Sequence, residues 1–550
     1  SKTLTFSSGS LAVDTQTFAL TFGAATQLAQ TLPATVANGV ALSAQPIVTI
    51  QDADGNTVTS GSQATQSVTL TSSDSNISGT TSMAAVAGVA DFDGKGVTLT
   101  GTVGTRSITA AIASPSAITV DTTISLTHGA ATQVSIAVAS SLVNDTVFAT
   151  QPVVTIKDAS GNTVTTGSAA SQTVTLSSTD ATIGGTVSMT STAGVANFTG
   201  KGVKLTGLVG ARNLTATIAS PSSISGTASV TITFGAATKL AVTTLAAGFV
   251  NRTDFSTQPV VTIQDVSGNT VTSATDVVSV AISSGNLTGT TTATAVSGVA
   301  TFSGLGKNGT VGSKTLTFSS GSLAVDTQTF ALTYGAIYKL DIVAPSSAAS
   351  GTIWSTQPVV TIQDQDGNTV TSAVDNITLT SPDSTIAGTT SMAAVAGVAD
   401  FTGKNIKLSG TAGTKSLVAT GASKTATAFV SLGFGSPYQT VLTTSAAGFK
   451  NRTAMTTNPV VEVRDQAGNV VTNYTGNVTV SFTTAGASIT GTTTVAAVAG
   501  IATFSGLGVQ GTTGNYTIKY LGAFGGSWAS QAITVTHGDA ASINFHFSQW

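Results

Sequence analysis

The chain has 550 residues, a net charge of −3 and only 8% charged residues. This length exceeds what one hydrophobic core supports, so we expect several domains. The absence of a basic surplus excludes nucleic acid as an expected partner, the absence of Cys excludes disulfides and thiolate metal sites, and no apolar segment is long enough to span a bilayer.

The composition also favours strands over helices. Apolar residues make up 41% of the chain, and many of them are β-branched, which suits the pleated, half-buried surface of a sheet. Glu462 is the only Glu, whereas long helices normally use Glu, Lys and Leu. We therefore expect very little helix.

The chain opens on a piece of a repeat. Residues 1–21 return letter for letter at 313–333, where they close a repeat, and a joint, FGAATQL, follows at 22–28. The first residue is Ser and no charged-then-apolar leader follows it, so we expect a processed chain or a window from a longer repetitive one. Relatives of the joint predict a partial repeat at 1–21, whole repeats at 22–127, 128–233, 234–333, 334–433 and 434–536, and at 537–550 the first strand of a further repeat or a C-terminal extension.

Each whole repeat has the size and pattern of one β-sandwich. In the second repeat, alternating segments such as QVSIAVA at 133–139 predict about seven short strands separated by turn residues. A marker that reads GVADF at 88–92 recurs with small changes in every whole repeat. It supplies one large inward-facing Phe to each repeat. The predicted fold class is all-β, with tandem β-sandwiches in a semi-rigid string.

One stretch, QPVVTIQDxxGN, is written five times with small changes. It begins at Gln45, Gln151, Gln258, Gln357 and Asn458. A β-branched run leads into an Asp-x-x-Gly-Asn turn, in which Asp accepts hydrogen bonds from backbone N–H groups and Gly takes the positive-φ position.

Calcium binding is the alternative interpretation of this turn. The candidate ligands are Asp52, Asp54, Asp364 and Asp366. A calcium loop with that spacing needs further oxygen ligands and a distant Glu, and the second acid is Ser or Ala in the other three copies. The structural turn is therefore preferred, with no cofactor expected.

The order PVVTIQDxxGN, VTLT, GTTTxxAVAGVATFSGL and GTxGxxTLTA resembles the bacterial Ig-like domains of invasin-type and giant repetitive adhesins. The resemblance covers essentially the whole chain. It implies an extracellular stalk, adhesin, surface-layer or filament protein, and it supplies no catalytic residues.

The histidines give no sign of catalysis. His128 and His537 occupy the joint position that Phe or Tyr holds in the other repeats, which predicts a packing role. Three separated His, no Cys and one Glu assemble neither a zinc site nor a Ser-His-Asp arrangement. We expect no enzyme activity.

Two kinds of surface site are predicted. Asn251 and Asn451 begin Asn-Arg-Thr sequons at the same place in two repeats and are the candidate glycosylation sites. Trp528 and Trp550 lie in the most divergent part and are candidates for an interface. Trp354 occupies a slot that is apolar in every repeat, which predicts a place in the core.

The expected function is structural. Low charge, Thr-rich strands and near-identical modules favour an extracellular cell-surface stalk, sheath, surface layer or filament, with copies of the chain as partners. Short joints predict a rod on the order of 200 Å for five sandwiches. The alternative is an adhesin that recognises a ligand, such as a cell-surface glycan, through the divergent repeat 434–536.

Overall fold

The computed structural model describes residues 1–113, 116–219 and 223–540. Regular structure in these ranges is β-strand, apart from two short 3₁₀ helices, Ser62–Thr65 and Ser168–Ala170. No helix found in these ranges has the length and apolarity needed to cross a membrane. The all-β class predicted from the composition is confirmed.

The described strands form one hairpin followed by five groups. The hairpin consists of β1 (Lys2–Phe6) and β2 (Asp14–Phe18). The first group consists of β3 (Gln27–Thr31), β4 (Thr35–Ala37), β5 (Ile47–Gln51), β6 (Ser67–Thr71), β7 (Asn76–Ser78), β8 (Ser82–Ala84), β9 (Val89–Asp91), β10 (Thr98–Thr100), β11 (Gly104–Ile112) and β12 (Ile118–Thr127). The second consists of β13 (Gln133–Ala137), β14 (Ser141–Val143), β15 (Val153–Lys157), β16 (Thr173–Ser177), β17 (Thr182–Gly184), β18 (Ser188–Thr190), β19 (Val195–Asn197), β20 (Lys204–Thr206), β21 (Gly210–Ile218) and β22 (Ile224–Thr233).

The last three groups follow the same plan. The third consists of β23 (Lys239–Thr244), β24 (Val260–Gln264), β25 (Val277–Ile282), β26 (Asn286–Thr288), β27 (Thr292–Thr294), β28 (Val299–Thr301), β29 (Gly306–Asn308), β30 (Gly312–Ser319) and β31 (Asp326–Leu332). The fourth consists of β32 (Lys339–Val343), β33 (Ser347–Ala349), β34 (Val359–Gln363), β35 (Asn376–Thr380), β36 (Thr385–Ala387), β37 (Ser391–Ala393), β38 (Val398–Asp400), β39 (Lys407–Ser409), β40 (Gly413–Gly421) and β41 (Lys424–Gly433). The fifth consists of β42 (Gln439–Thr444), β43 (Thr453–Ala454), β44 (Val460–Arg464), β45 (Asn477–Phe482), β46 (Ala487–Thr490), β47 (Thr494–Ala496), β48 (Ile501–Thr503), β49 (Gly508–Gly511), β50 (Gly514–Gly522) and β51 (Ala529–Val535).

The second group illustrates the topology. One antiparallel sheet has the order β13-β15-β19, and the facing sheet has the order β14-β22-β21-β16-β18. The short strand β14 pairs with the final strand β22 in parallel, and β17 and β20 form a separate two-stranded ribbon. Two small facing sheets, in which β21 pairs with both β16 and the final strand β22, define an Ig-like sandwich. The third and fifth groups keep the arrangement with a four-stranded second sheet.

Each group encloses a hydrophobic core of its own. The Phe of the GVADF marker is buried in all five cores, at Phe92, Phe198, Phe302, Phe401 and Phe504. Trp354 lies in the fourth core as predicted. The chain is therefore a tandem array of Ig-like sandwiches, called the first to fifth domains below, while the residue limits of the repeats stay a prediction.

Every residue of the strands β1 and β2 is exposed, although an identical sequence is buried in the third domain. Leu4 and Phe6 are 49% and 56% exposed, whereas the identical Leu316 and Phe318 of the third domain are fully buried. In that domain the hairpin pairs with β25 and covers the core. An isolated two-stranded hairpin is marginally stable in water, so 1–21 should open far more readily than 313–333.

We predict that chymotrypsin cleaves the folded 550-residue chain within 1–21 and spares the identical residues 313–333. Cleavage requires local opening, which costs little in the exposed hairpin and close to the full unfolding free energy in the third domain. Intact-mass measurement over a digestion time course would show cuts within 1–21 and none within 313–333. In urea both copies should be cut, and comparable native cleavage at Phe6 and Phe318 would contradict the prediction.

Candidate functional site: the junctions between domains

The Asp-x-x-Gly-Asn turn forms as predicted. In the fourth domain, Asp364 accepts hydrogen bonds from the backbone N–H groups of Asp366 (3.0 Å) and Asn368 (2.9 Å) and from the Asn368 side-chain amide (3.0 and 2.8 Å). Gly367 has a φ of 85°, in the left-handed region that glycine adopts at little cost. Asp364 is 1% exposed, so its carboxylate is a buried anion held by N–H donors.

The same carboxylate holds the joint that enters its domain. The N–H of Gly335 donates to Asp364 Oδ2 at 3.0 Å. Equivalent bonds join Gly23 to Asp52, Gly129 to Asp158, Gly235 to Asp265 and Gly435 to Asp465. A Cβ on Gly335 would lie 2.7 Å from the carbonyl oxygen of Asn251 in the preceding domain, so the joint needs glycine because two backbones pass close together.

The last residue of the turn reaches across the junction. Asn368 donates from Nδ2 to the carbonyl oxygen of Gly309 (2.9 Å) and accepts at Oδ1 from the N–H of Val311 (3.0 Å), both in the third domain. The same pair of bonds is made by Asn162, Asn269 and Asn469. Sequence reasoning missed this role because it treated the turn as a local hairpin, although Asn ends all five copies.

A second amide crosses in the opposite direction. Asn251, seven residues before the Gln-Pro pair of its repeat, is buried and donates to Asp364 (2.7 Å) and Asp366 (2.8 Å) of the fourth domain. Asn144 holds the same position in the second domain and donates to Asp265 (2.8 Å) and to the Ser267 hydroxyl (2.9 Å). The ends of the second and third domains therefore each donate an amide to the buried carboxylate of the next domain.

An ion pair reinforces the junction between the third and fourth domains. Arg252 Nε and Nη2 donate to the two carboxylate oxygens of Asp366, both at 2.8 Å, in the bidentate geometry that favours Arg. This hydrogen-bonded partner lowers the pKa of Asp366 to about 2. At Asp364 burial opposes the charge, but the donors Gly335, Asn368 and Asn251 outweigh it and hold the pKa below its ordinary value.

The arrangement does not fit a calcium ion. Calcium needs a cage of six to eight oxygen ligands, whereas the oxygens of Asp364 and Asp366 accept from amide, guanidinium and backbone N–H groups. Asp52 accepts in the same way from Gly23, Asp54 and Asn56. Across the described ranges, no group of three or more His, Cys, Asp or Glu side chains could hold a metal.

The predicted surface sites have different surroundings. Asn251 is 1% exposed and its Nδ2 is already bonded twice, so a glycan there would break the junction, which contradicts the predicted glycosylation of this residue. Asn451 is half-buried and accepts from the N–H of Gly511; its glycosylation stays a prediction. Trp528 is 54% exposed with the Lys519 ammonium 5.7 Å from its ring centre. Trp550 lies outside the described residues.

We predict that acid loosens this junction through Asp366. A carboxyl with a depressed pKa stabilises the folded state above its ordinary pKa of 3.8, and that stabilisation is lost as pH falls toward the folded value. The melting temperature should therefore fall between about pH 4 and pH 2. The variant Arg252→Gly copies Gly351, the residue at the equivalent position of the fourth domain. It should reduce this acid-dependent fall in melting temperature, measured by circular dichroism. Superimposable melting-temperature profiles for the variant and the unmodified chain would contradict the prediction.

Comparison with known proteins adds little to this geometry. No protein-family model matches the chain, and no curated protein matches it. Similar solved structures include the S-layer protein rSbsC(31–844), with 14% identity and a TM-score of 0.19 over 93% of this chain and 66% of that chain. Others are the bacterial integrin-binding protein invasin, with 15% identity and 0.24 over 77% and 82%, and the Escherichia coli adhesin FdeC, with 18% identity and 0.25 over 58% and 100%.

The chain thus spans 66% of the length of the S-layer structure. Likenesses of this size carry no argument about function, and the class of the protein rests on its own strand order and junctions. That class is a tandem array of Ig-like β-sandwiches whose neighbours are joined by hydrogen bonds as well as by the chain.

Proposed function

We propose that this chain is a non-catalytic structural protein of a microbial cell surface, in which coupled Ig-like domains build an extracellular stalk, sheath, surface layer or filament. The observation that carries the proposal is the double use of the repeated turn. The Asp and Asn side chains close the turn. The Asn also binds the preceding domain at the four described junctions, and the Asp does so at the second and third, so the feature that defines the repeat also helps to fix how repeats follow one another.

Such coupling makes a string of domains stiff. Domains that share a small interface move relative to one another by default. Here the joint between β31 and β32 is short and is held at one point by Gly335, while Asn368 and Asn251 hold two further points. Contacts at separate points oppose both bending and twisting, as a stalk or layer requires.

Lateral contacts would be made by hydroxyl-bearing strand edges. β8, β18, β27, β37 and β47 each lie at the end of a sheet. Their first residues are exposed Ser or Thr, namely Ser82, Ser188, Thr292, Ser391 and Thr494. A repeating, uncharged edge of this kind offers equivalent hydrogen-bonding sites to a second copy at every domain.

The test is assembly of the purified chain at rising concentration, followed by light scattering and electron microscopy. We expect lattices or fibres, and we expect none from the variant S82K/S188K/T292K/S391K/T494K, because like charges on the edges repel. Circular dichroism would check that the variant folds. A chain that stays monomeric at high concentration would rule out the assembly role.

Adhesion through the fifth domain is the second candidate. The exposed Trp528, with Lys519 beside its ring, and the exposed Tyr438 supply aromatic surfaces of the type on which sugars stack. Glycan-array binding by the chain, lost in Trp528→Ala and kept in Val498→Ala on the same domain, would support it. Equal glycan binding by both variants would exclude Trp528 as the glycan-binding residue.

A further inference from the structure

The fourth junction, between the fourth and fifth domains, departs from the other three. Ser350 stands where earlier domains carry Asn38, Asn144 and Asn251. Ala467 stands in the turn where the second to fourth domains carry Ser160, Ser267 and Asp366. Both members of the second crossing bond are therefore changed at the same junction.

The Ser350 hydroxyl stays within its own domain. Its Oγ lies 3.2 Å from both the N–H and the carbonyl oxygen of Gly410, and it is too short to reach Asp465 of the fifth domain. Only the turn residue Asn469 still crosses, to Gly410 (2.9 Å) and Ala412 (2.6 Å).

A cleft of about 540 Å³ lies between the two domains, and its lining includes Ser350, Ser409, Tyr438, Asp465 and Ala467. At the third junction the equivalent positions are filled by Asn251 and Asp366, with Arg252 paired to the carboxylate. The fourth junction thus keeps the Asn469 bonds and has a cleft beside the changed positions Ser350 and Ala467.

We propose that the fourth junction is a hinge, about which the fifth domain moves against a stiffer array of the first four. The inference rests on the proposed mechanical function and refines it by giving the string one compliant point. A neutral hydrogen bond contributes about 0.5–1.5 kcal/mol and one to a charged group about 1.5–3 kcal/mol. The fourth junction therefore lacks the amide bond to a buried carboxylate that the second and third junctions have, and with it one restraint on bending.

The natural absence of Cys allows a matched distance measurement. Val296, Val395 and Val498 occupy the same position in the third, fourth and fifth domains and are 73%, 74% and 77% exposed. Spin labels on V296C/V395C span the third junction, and labels on V395C/V498C span the fourth. Pulsed electron–electron double resonance then gives the distribution of distances between the two labels across each junction in the full chain.

We expect the distribution across the fourth junction to be about twofold broader than that across the third, since weakly joined domains move relative to each other. S350N/A467D, which installs the residues of the third junction, should narrow it. N251S/D366A, which installs those of the fourth, should broaden the V296C/V395C distribution. Thermal melts of each variant would confirm that both flanking domains remain folded.

The outcomes separate the two claims. Equal widths across the third and fourth junctions in the unmodified background would overturn the hinge and leave the proposed function standing. A third junction that keeps its width in folded N251S/D366A would instead count against these side chains as the source of stiffness, and so against the proposed function itself. Narrowing by S350N/A467D together with broadening by N251S/D366A is the result that supports the hinge.

Discussion

Asp364→Ala should destabilise the fourth domain by about 3–5 kcal/mol, because it leaves several buried N–H groups without an acceptor, each at a cost of about 1–3 kcal/mol. The carboxylate that is lost accepts from Gly335, Asn368 and Asn251. Two of these donors hold the domain entrance and the junction. The variant should therefore also broaden the distance distribution between the third and fourth domains.

Differential scanning calorimetry of the full chain would measure the effect as a downward shift of one domain transition. The matched control is Asp54→Ala, which removes an exposed acid from the equivalent turn of the first domain. That change should stay within about 0.5 kcal/mol of the unmodified chain. If both variants melt alike, the buried carboxylate is not what stabilises the turn.

Phe401→Ala alone should lower the free energy of unfolding of the fourth domain by about 3–5 kcal/mol, because truncation of a fully buried Phe leaves a cavity that the sandwich cannot fill. Phe401 is 0% exposed within the fourth core. For a domain of this size each kcal/mol lowers the melting temperature by about 4–8 °C. Val395→Ala, six residues earlier and 74% exposed, is the control and should leave the transition in place.

The Phe401 result would also distinguish the loss of core packing within one domain from the loss of contacts between domains. The side chain makes no junction contact of the kind made by Asp364, so the third and fifth domains should keep their transitions when Phe401 is truncated. A shift of all the transitions together would show that the domains melt as one unit, contrary to the expectation from separate cores.

Much of the fold could be predicted from the sequence because its signals are local. Alternating strands, the positive-φ Gly of each turn and the apolar slot of Trp354 each depend on neighbours within one repeat. The junction bonds could not be predicted in the same way. Asn368 binds Gly309 and Val311, which lie 59 and 57 residues away in another domain, and it meets them through backbone atoms that every residue possesses.

The charged part of the junction shows the same limit. The sequence offered Asp364 and Asp366 as calcium candidates, since two acids at that spacing suit a cation. Their actual partner, Arg252, lies 114 residues from Asp366. Only the packing of one domain end against the next brings a guanidinium to the place where a metal was considered.

The two identical hairpins show most directly which features the sequence determines and which the tertiary structure decides. Residues 1–21 and 313–333 share one sequence, and they pair in one register, with Leu4 opposite Gln16 and Leu316 opposite Gln328. Sequence alone determined that pairing, because a hairpin is set by its own turn and alternation. Burial was decided by tertiary structure, since Leu316 is covered by the rest of the third domain while Leu4 remains half exposed. Burial depends on surfaces that distant strands supply, and 21 residues cannot encode those surfaces.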